Sequence, residues 1–387
     1  MSKRFRNLCF TIHCLAHRLE LGVADALYDL VSIKLFKTFS ANLHNHFSNS
    51  VKRSNDLRSM CEKLGIEMLK HQKRFSVRWA FSSFQAINAM PRNWQALYSY
   101  FATMKNDPKT DCKEIIKNLS SFNVISELCL LYDILYEIQV LSQFLQRSDG
   151  SVLNVYPKLK TAIKTMEDMG NSNYHPPDER EKLTREGKKL PVIGVQCLQL
   201  LDEIHSNMSE PKFKGVAVVD VNWQLFQKKK KSFCSRMAYE LADRFAGETL
   251  SRSFSISPES WVNINSTDFE THGNLELDFL SFQFGFNSTE CRKDFDLLKE
   301  SYKRALQLGQ PLPKVHDCVK GELSRLFEHL KCLPIGTADC ERGFSRMNRI
   351  HSDERNRMLP STASNVLFLG INGPPKNLRL LNMPGAG

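Results

Sequence analysis

Near its C-terminus the chain reads Leu333-Pro-Ile-Gly-Thr-Ala-Asp-Cys-Glu-Arg-Gly-Phe-Ser-Arg-Met-Asn-Arg-Ile350, then Arg355-Asn-Arg-Met-Leu359, and later Ile371-Asn-Gly-Pro374. Pro334 and Gly336 interrupt whatever precedes them. Thr337 or Asp339 can then accept a hydrogen bond from the free amides of a new helix. Asp339 and Glu341 stand where the positive end of that helix's dipole favours carboxylates. Phe344, Met347 and Ile350 recur at three-residue steps as one apolar stripe, with Arg342, Arg346 and Arg349 mostly on the other side. After Arg355 and Arg357 the chain returns to apolar character from Leu359 to Leu369, and Gly373-Pro374-Pro375 ends the pattern. The local physics is that of two short amphipathic helices that need a partner surface.

The particular residues say more. Cys-Glu-Arg-Gly-Phe-Ser (340–345), the spaced Arg-Asn-Arg-Met-Leu and the closing Ile-Asn-Gly-Pro resemble, in order and at family spacing, the C-terminal dimerisation region of hAT-superfamily transposases and of proteins derived from them. The resemblance implies a mainly α protein: a partial RNase H-like core in residues 1–80, a large all-α insertion domain in 81–313, a helical dimerisation region in 314–375 and a tail in 376–387.

Composition is compatible with that plan. The chain has 387 residues, 42% hydrophobic and 25% charged, enough for two or more cores, and its 25 Phe predict aromatic-rich ones. No window is apolar over a bilayer-spanning length, and no apolar h-region follows Met1-Ser-Lys-Arg-Phe-Arg6. The 11 Cys are odd in number and follow no scaffold spacing, so reduced thiols in nucleus or cytoplasm are expected. A net charge of +11 permits a nucleic-acid partner, and a solvated basic surface accounts for it equally well.

Working backward along the chain, helices are predicted at Val315–Cys332, Asp294–Leu308, Asn274–Phe284, Ser232–Leu250, Val192–Ser206 and Val152–Met166. Ser251–Thr271 reads as loop, Gly170–Pro191 as a flexible loop, and Val216–Val221 as a short β-branched run of ambiguous type. The clearest element is Leu119–Leu145, whose Ile125, Leu128, Leu131, Leu135, Ile138, Leu141 and Leu145 predict a buried bundle helix. Lys228, Lys229, Lys230 and Lys231 form a basic run that suits a nuclear import signal or phosphate contacts, although a solvated helix start is the plainer reading. Ile33–His71 reads as helical, with Phe36, Phe39, Leu43 and Phe47 on one face.

At the start, Phe10, Ile12 and Cys14 alternate like a strand end, and Leu15, Leu19, Val23, Leu27 and Leu30 then follow helical spacing. Cys14 and His17 sit at the junction. A closed zinc site needs four ligands, and no second Cys/His pair stands at finger spacing, so a packed thiol and histidine are expected and no metal. Cys14-Leu-Ala-His17 also resembles the Cys-x-x-His element of the family, and Ser76-Val-Arg78-Trp79 resembles its Thr/Ser-x-Arg-Trp element. The latter implies that Arg78 and Trp79 lie near the ancestral active site and DNA.

The resemblance also implies a chemistry: three carboxylates holding two Mg²⁺ ions. Glu341 matches the third acid. The first two should precede Cys14, where none stands; Glu20, Asp25 and Asp29 come after it, at helical positions. No transposase or nuclease activity, and hence no cofactor, is expected. Two accounts of the shortfall stay open: loss of the acids, or their location upstream together with a BED-type zinc finger. No Gly-x-Ser-x-Gly, P-loop or dinucleotide fingerprint offers another reaction. The expected function is dimerisation, with itself or a related protein, through Phe344, Met347, Ile350, Leu359, Val366, Leu367 and Leu369. The alternative is a non-catalytic nuclear DNA-binding regulator using Arg78, Trp79, Lys228–Lys231, Arg342 and Arg346. A SUMO-ligase-like role, ascribed to some transposase-derived relatives, ranks behind both.

Overall fold

The structure, a computed structural model, describes residues 14–28, 31–68, 79–104, 112–147, 151–246, 248–261, 264–311, 315–333, 335, 347–348, 350 and 359–372. It is mainly helical. Its central element is α6 (Phe122–Leu145), and all seven apolar positions of the predicted seam are buried. So are Leu130, Ile134 and Cys129 on its other sides, which places this helix inside the bundle rather than on its edge.

Around α6 stand α4 (Trp79–Thr103), α7 (Val152–Asn171), α9 (Val195–Ser206) and α10 (Trp223–Arg244). The first described helix, α1 (Leu15–Tyr28), lies mainly on α10 and also touches α4 and α6. Its Leu15, Leu19, Val23 and Leu27 are all buried. Gly22 allows the close crossing, since a Cβ there would stand 3.2 Å from the Arg244 side chain. Asp25 of α1 is ion-paired with Arg244 across the same contact. Gly170 plays the same part between α7 and α10: a Cβ would sit 2.9 Å from that of Cys234. One contiguous core runs from Leu15 to Ile335, so the segments 15–63 and 79–311 share it.

The predicted helix over 33–71 is two helices, α2 (Val31–Ser48) and α3 (Val51–Lys63). Ser50 separates them because its hydroxyl accepts the Arg53 amide as an N-cap. Phe39, Leu43 and Phe47 face inward as predicted. Behind them His46 shares a 3.0 Å hydrogen bond with the Tyr100 hydroxyl of α4. The helix α5 (Cys112–Ser120) leads into α6, and the Leu119 carbonyl accepts the indole N–H of buried Trp94 at 3.2 Å.

The ambiguous run 216–221 contributes a small antiparallel hairpin, β1 (Lys212–Phe213) and β2 (Val216–Ala217). Lys214 and Gly215 both take positive φ, the turn that matches strand twist. Val219 then accepts the Phe122 amide at 3.0 Å, satisfying one free donor at the start of α6. These are the strands among the described residues, and the RNase H-like sheet is not among them.

Three further expectations change. The predicted loop 170–191 contains a helix, α8 (Pro177–Arg185). It buries no residue, so it lacks the apolar period that sequence reading relies on. Ser232–Leu250 is not one helix: α10 begins nine residues earlier, at Trp223, and after a break α11 (Glu248–Ser255) follows. Ser251–Thr271 is not simply loop either. It holds the end of α11, a 3-10 turn at Pro258–Ser260 and the short α12 (Ser266–Phe269). Buried Trp261 anchors this stretch by donating its indole N–H to the Ser255 carbonyl at 3.1 Å and packing edge-on to Phe269, Phe295 and Tyr302.

Of the remaining helices, α13 (Asn274–Phe284) has the predicted bounds, and α14 (Ser288–Gln307) starts six residues before the predicted Asp294. The predicted Val315–Cys332 is two helices, α15 (Val315–Cys318) and α16 (Glu322–Cys332), with Gly321 as the N-cap of the second, and α17 (Pro360–Asn372) follows. α16 rests on α14 and α7. No described helix is long and apolar enough to cross a membrane.

Candidate self-association surface

The C-terminal region starts from a firmly seated helix. Leu323, Leu326, Phe327 and Leu330 of α16 are buried at helical spacing. The first turn is capped from outside: Asp294 of α14 accepts the Leu323 amide at 3.2 Å. This needs Gly321, because any Cβ there would overlap the Asp294 carboxylate.

Beyond α16, Ile335 is buried, and its carbonyl accepts the Leu15 amide at 3.0 Å. Leu15 is the first residue of α1, so its amide is one of the donors a helix cannot satisfy itself. The bond ties the start of the Cys340–Ser345 motif region to the Cys14–His17 element, more than 300 residues away in sequence. Cys14 is half-buried and His17 is exposed. Sequence reading did not single out Ile335. Its signal was an isolated apolar residue held between two breakers, Pro334 and Gly336.

Met347, Asn348 and Ile350 have helical conformation. Met347 is 38% exposed and Ile350 half-buried. Leu359, whose carbonyl receives the Ala363 amide at 2.9 Å, opens α17 and is 68% exposed. Val366 is also exposed and Leu367 half-buried. Phe368, which sequence reading passed over, is exposed too. No described side chain from Leu359 to Phe368 is buried. Among the described residues no other helix packs extensively on α17. A thirteen-residue helix without a single charged side chain, and with Val366 and Phe368 exposed, is a candidate association surface in physical terms.

Arg78, Glu341, Arg342, Phe344 and Arg346 lie outside the described residues. Trp79 begins α4 and Leu369 lies in α17, and their side chains are likewise outside the description.

The lysine run is corrected by its surroundings. Lys230 is 2% exposed and donates to the Ser172 carbonyl; burial lowers its pKa. Lys229 is paired with Glu127 and donates to Asn123 at 2.7 Å. Only Lys228 and Lys231 of the four are exposed. A helix turns 100° per residue, so four consecutive side chains point in four directions, and here two of them point inward. The run is neither a solvated helix start nor a continuous basic patch.

Asp25 of α1 is committed to Arg244, and among the described residues no three His, Cys, Asp or Glu side chains are grouped to hold a metal ion.

Residues 314–370 match the family model for the hAT family C-terminal dimerisation region. The match takes in α15, α16 and α17 and the segment between them.

Proposed function

We propose that this is a hAT transposase-derived protein that acts by pairing with a second chain, its own copy or a related one, without transposase activity. The observation that carries the reading is α17, a helix of the matched dimerisation region whose Leu359 and Val366 are exposed and on which no other helix packs extensively among the described residues. Burying apolar surface stabilises by roughly 25 cal/mol per Å², and a contact with a second chain would collect it here.

Replacing both Leu359 and Val366 by Asp tests this. Each side chain is exposed, so the fold should survive, while two carboxylates in a closed interface should weaken pairing by roughly a hundredfold or more. Light scattering after size-exclusion chromatography should then read a monomer where the parent chain reads a dimer. Dimers that persist unchanged would remove α17 from the interface. Phe344→Asp is the companion test within the Cys340–Ser345 motif.

The absence of nuclease chemistry is part of the proposal. It is supported by the helical placement of Glu20 and Asp25 in α1 and by the ion pair that occupies Asp25. Incubation with Mg²⁺ and labelled duplex DNA should leave the strands intact, and metal-dependent cleavage would overturn this part. A second reading, non-catalytic DNA binding, draws on the net charge of +11 and on exposed Lys228 and Lys231. It requires an affinity that falls steeply with salt, and no binding at low salt eliminates it.

A further inference from the structure

Among the described residues outside the matched region, the most exposed large apolar side chain is Phe282 of α13, at 86%. One heptad earlier on the same helix Leu275 is 76% exposed. Phe279 lies between them, half-buried beneath the Arg252 guanidinium, which stands 4.2 Å from its ring centre. Leu275, Phe279 and Phe282 follow the i, i+4, i+7 spacing of one helix face. The opposite face of α13 is fully used: Leu277, Leu280 and Phe284 are buried, and the helix packs on α14 and α11. The fold therefore seats α13 and leaves its second apolar stripe in water.

We propose that this stripe is the docking site for α17 of a second copy of the chain. Three observations carry it. First, α13 itself adjoins the dimerisation region: His329 of α16, inside residues 314–370, lies 4.8 Å from the ring of Phe284 on the buried face of α13 and 5.9 Å from that of Phe286 just beyond its end. Second, the patterns match. Leu359, Ala363 and Val366 repeat the i, i+4, i+7 spacing of Leu275, Phe279 and Phe282, so the outer anchors of both are about 10 Å apart along their axes at 1.5 Å per residue. Small Ala363 faces the middle position, where Arg252 already covers Phe279. Third, among the described residues α17 is not one of the elements packed extensively on α13 within one chain.

A two-fold dimer would make this contact twice, α13 on the partner's α17 and α17 on the partner's α13, which doubles the buried area. The inference rests on the dimer reading above and adds to it the receiving surface.

The test places the photo-crosslinking residue p-benzoylphenylalanine at Phe282 of the full chain and mixes it with an isotope-labelled copy. Irradiation should give a covalent dimer whose crosslinked peptide spans residues 359–368 of the labelled copy. Crosslinks confined to a single chain, or none while sedimentation shows a dimer, would overturn the docking site and leave the dimer reading standing. A wild-type chain that is monomeric overturns the docking site together with the self-pairing form of the dimer reading. Phe282→Asp supplies a second measurement: the dimer dissociation constant should rise roughly tenfold or more with the melting temperature unchanged, since the side chain is almost wholly in water. An unchanged dissociation constant would equally overturn the proposal.

Discussion

Asp133 of α6 is 5% exposed, and its carboxylate accepts the amides of Gln196 and Cys197 at 3.0 and 2.9 Å. It thereby caps α9 from a neighbouring helix. Burial pushes its pKa up to about 6, against the pull of the two amides. The folded-state value thus lies above the unfolded 3.8. In such a case the contribution to stability is fully present below pH 3.8 and is lost as pH rises through about 6. At 1.36 kcal/mol per pH unit, the stability difference between wild type and Asp133→Asn should fall by about 2 kcal/mol between pH 4 and 7. Urea titrations at both ends of that range check this, and a flat difference would mean that the carboxyl titrates as it does in water. The same cap fixes its neighbour. Gly194 has φ −60°, which alanine adopts freely, but a Cβ would overlap the Asp133 carboxyl. If backbone entropy ruled, Gly194→Ala would stabilise by about 0.4–1 kcal/mol. Contact should win, and the variant should lose roughly 2–3 kcal/mol in urea denaturation.

At the scale of elements, the same device recurs. α9 and α16 both begin after a glycine and are both capped by an aspartate from another helix. Asp294→Ala should cost about 1 kcal/mol and speed amide exchange at Leu323. Unchanged protection there would show that the cap carries no weight. Neither cap was legible in the sequence, since the aspartate lies 63 residues from the amide in one case and 29 in the other. By contrast α6, α13 and α1 were legible, because one face of each repeats apolar residues at helical spacing and the core uses that face. α8 was invisible for the opposite reason. It stands on Pro177 in its first turn, acids at its start, Lys182 and Arg185 at its end, and a two-pronged Arg180–Asp202 pair to α9. Composition alone cannot separate such a helix from a polar loop.

Over the whole molecule, the sequence motifs and the packing agree at one point that periodicity could not supply. The Leu15–Ile335 hydrogen bond joins the first described helix to the segment that opens the dimerisation motif. Residue types at family spacing made the C-terminal region legible, whereas the α13 stripe was not. Leu275, Phe279 and Phe282 read as core in a helix whose other face is equally apolar, and only burial tells the two faces apart. Charge was legible in amount and misleading in place, since Lys229 and Lys230 serve α6 and the chain around Ser172 rather than a surface partner. The central claim is that this chain works as a pair. Sedimentation equilibrium of the wild-type chain across the micromolar range tests it most directly. The account predicts a concentration-dependent rise to twice the 44.5 kDa chain mass. A single species at the chain mass up to tens of micromolar, which would hold any pairing free energy below about 7 kcal/mol, would contradict it.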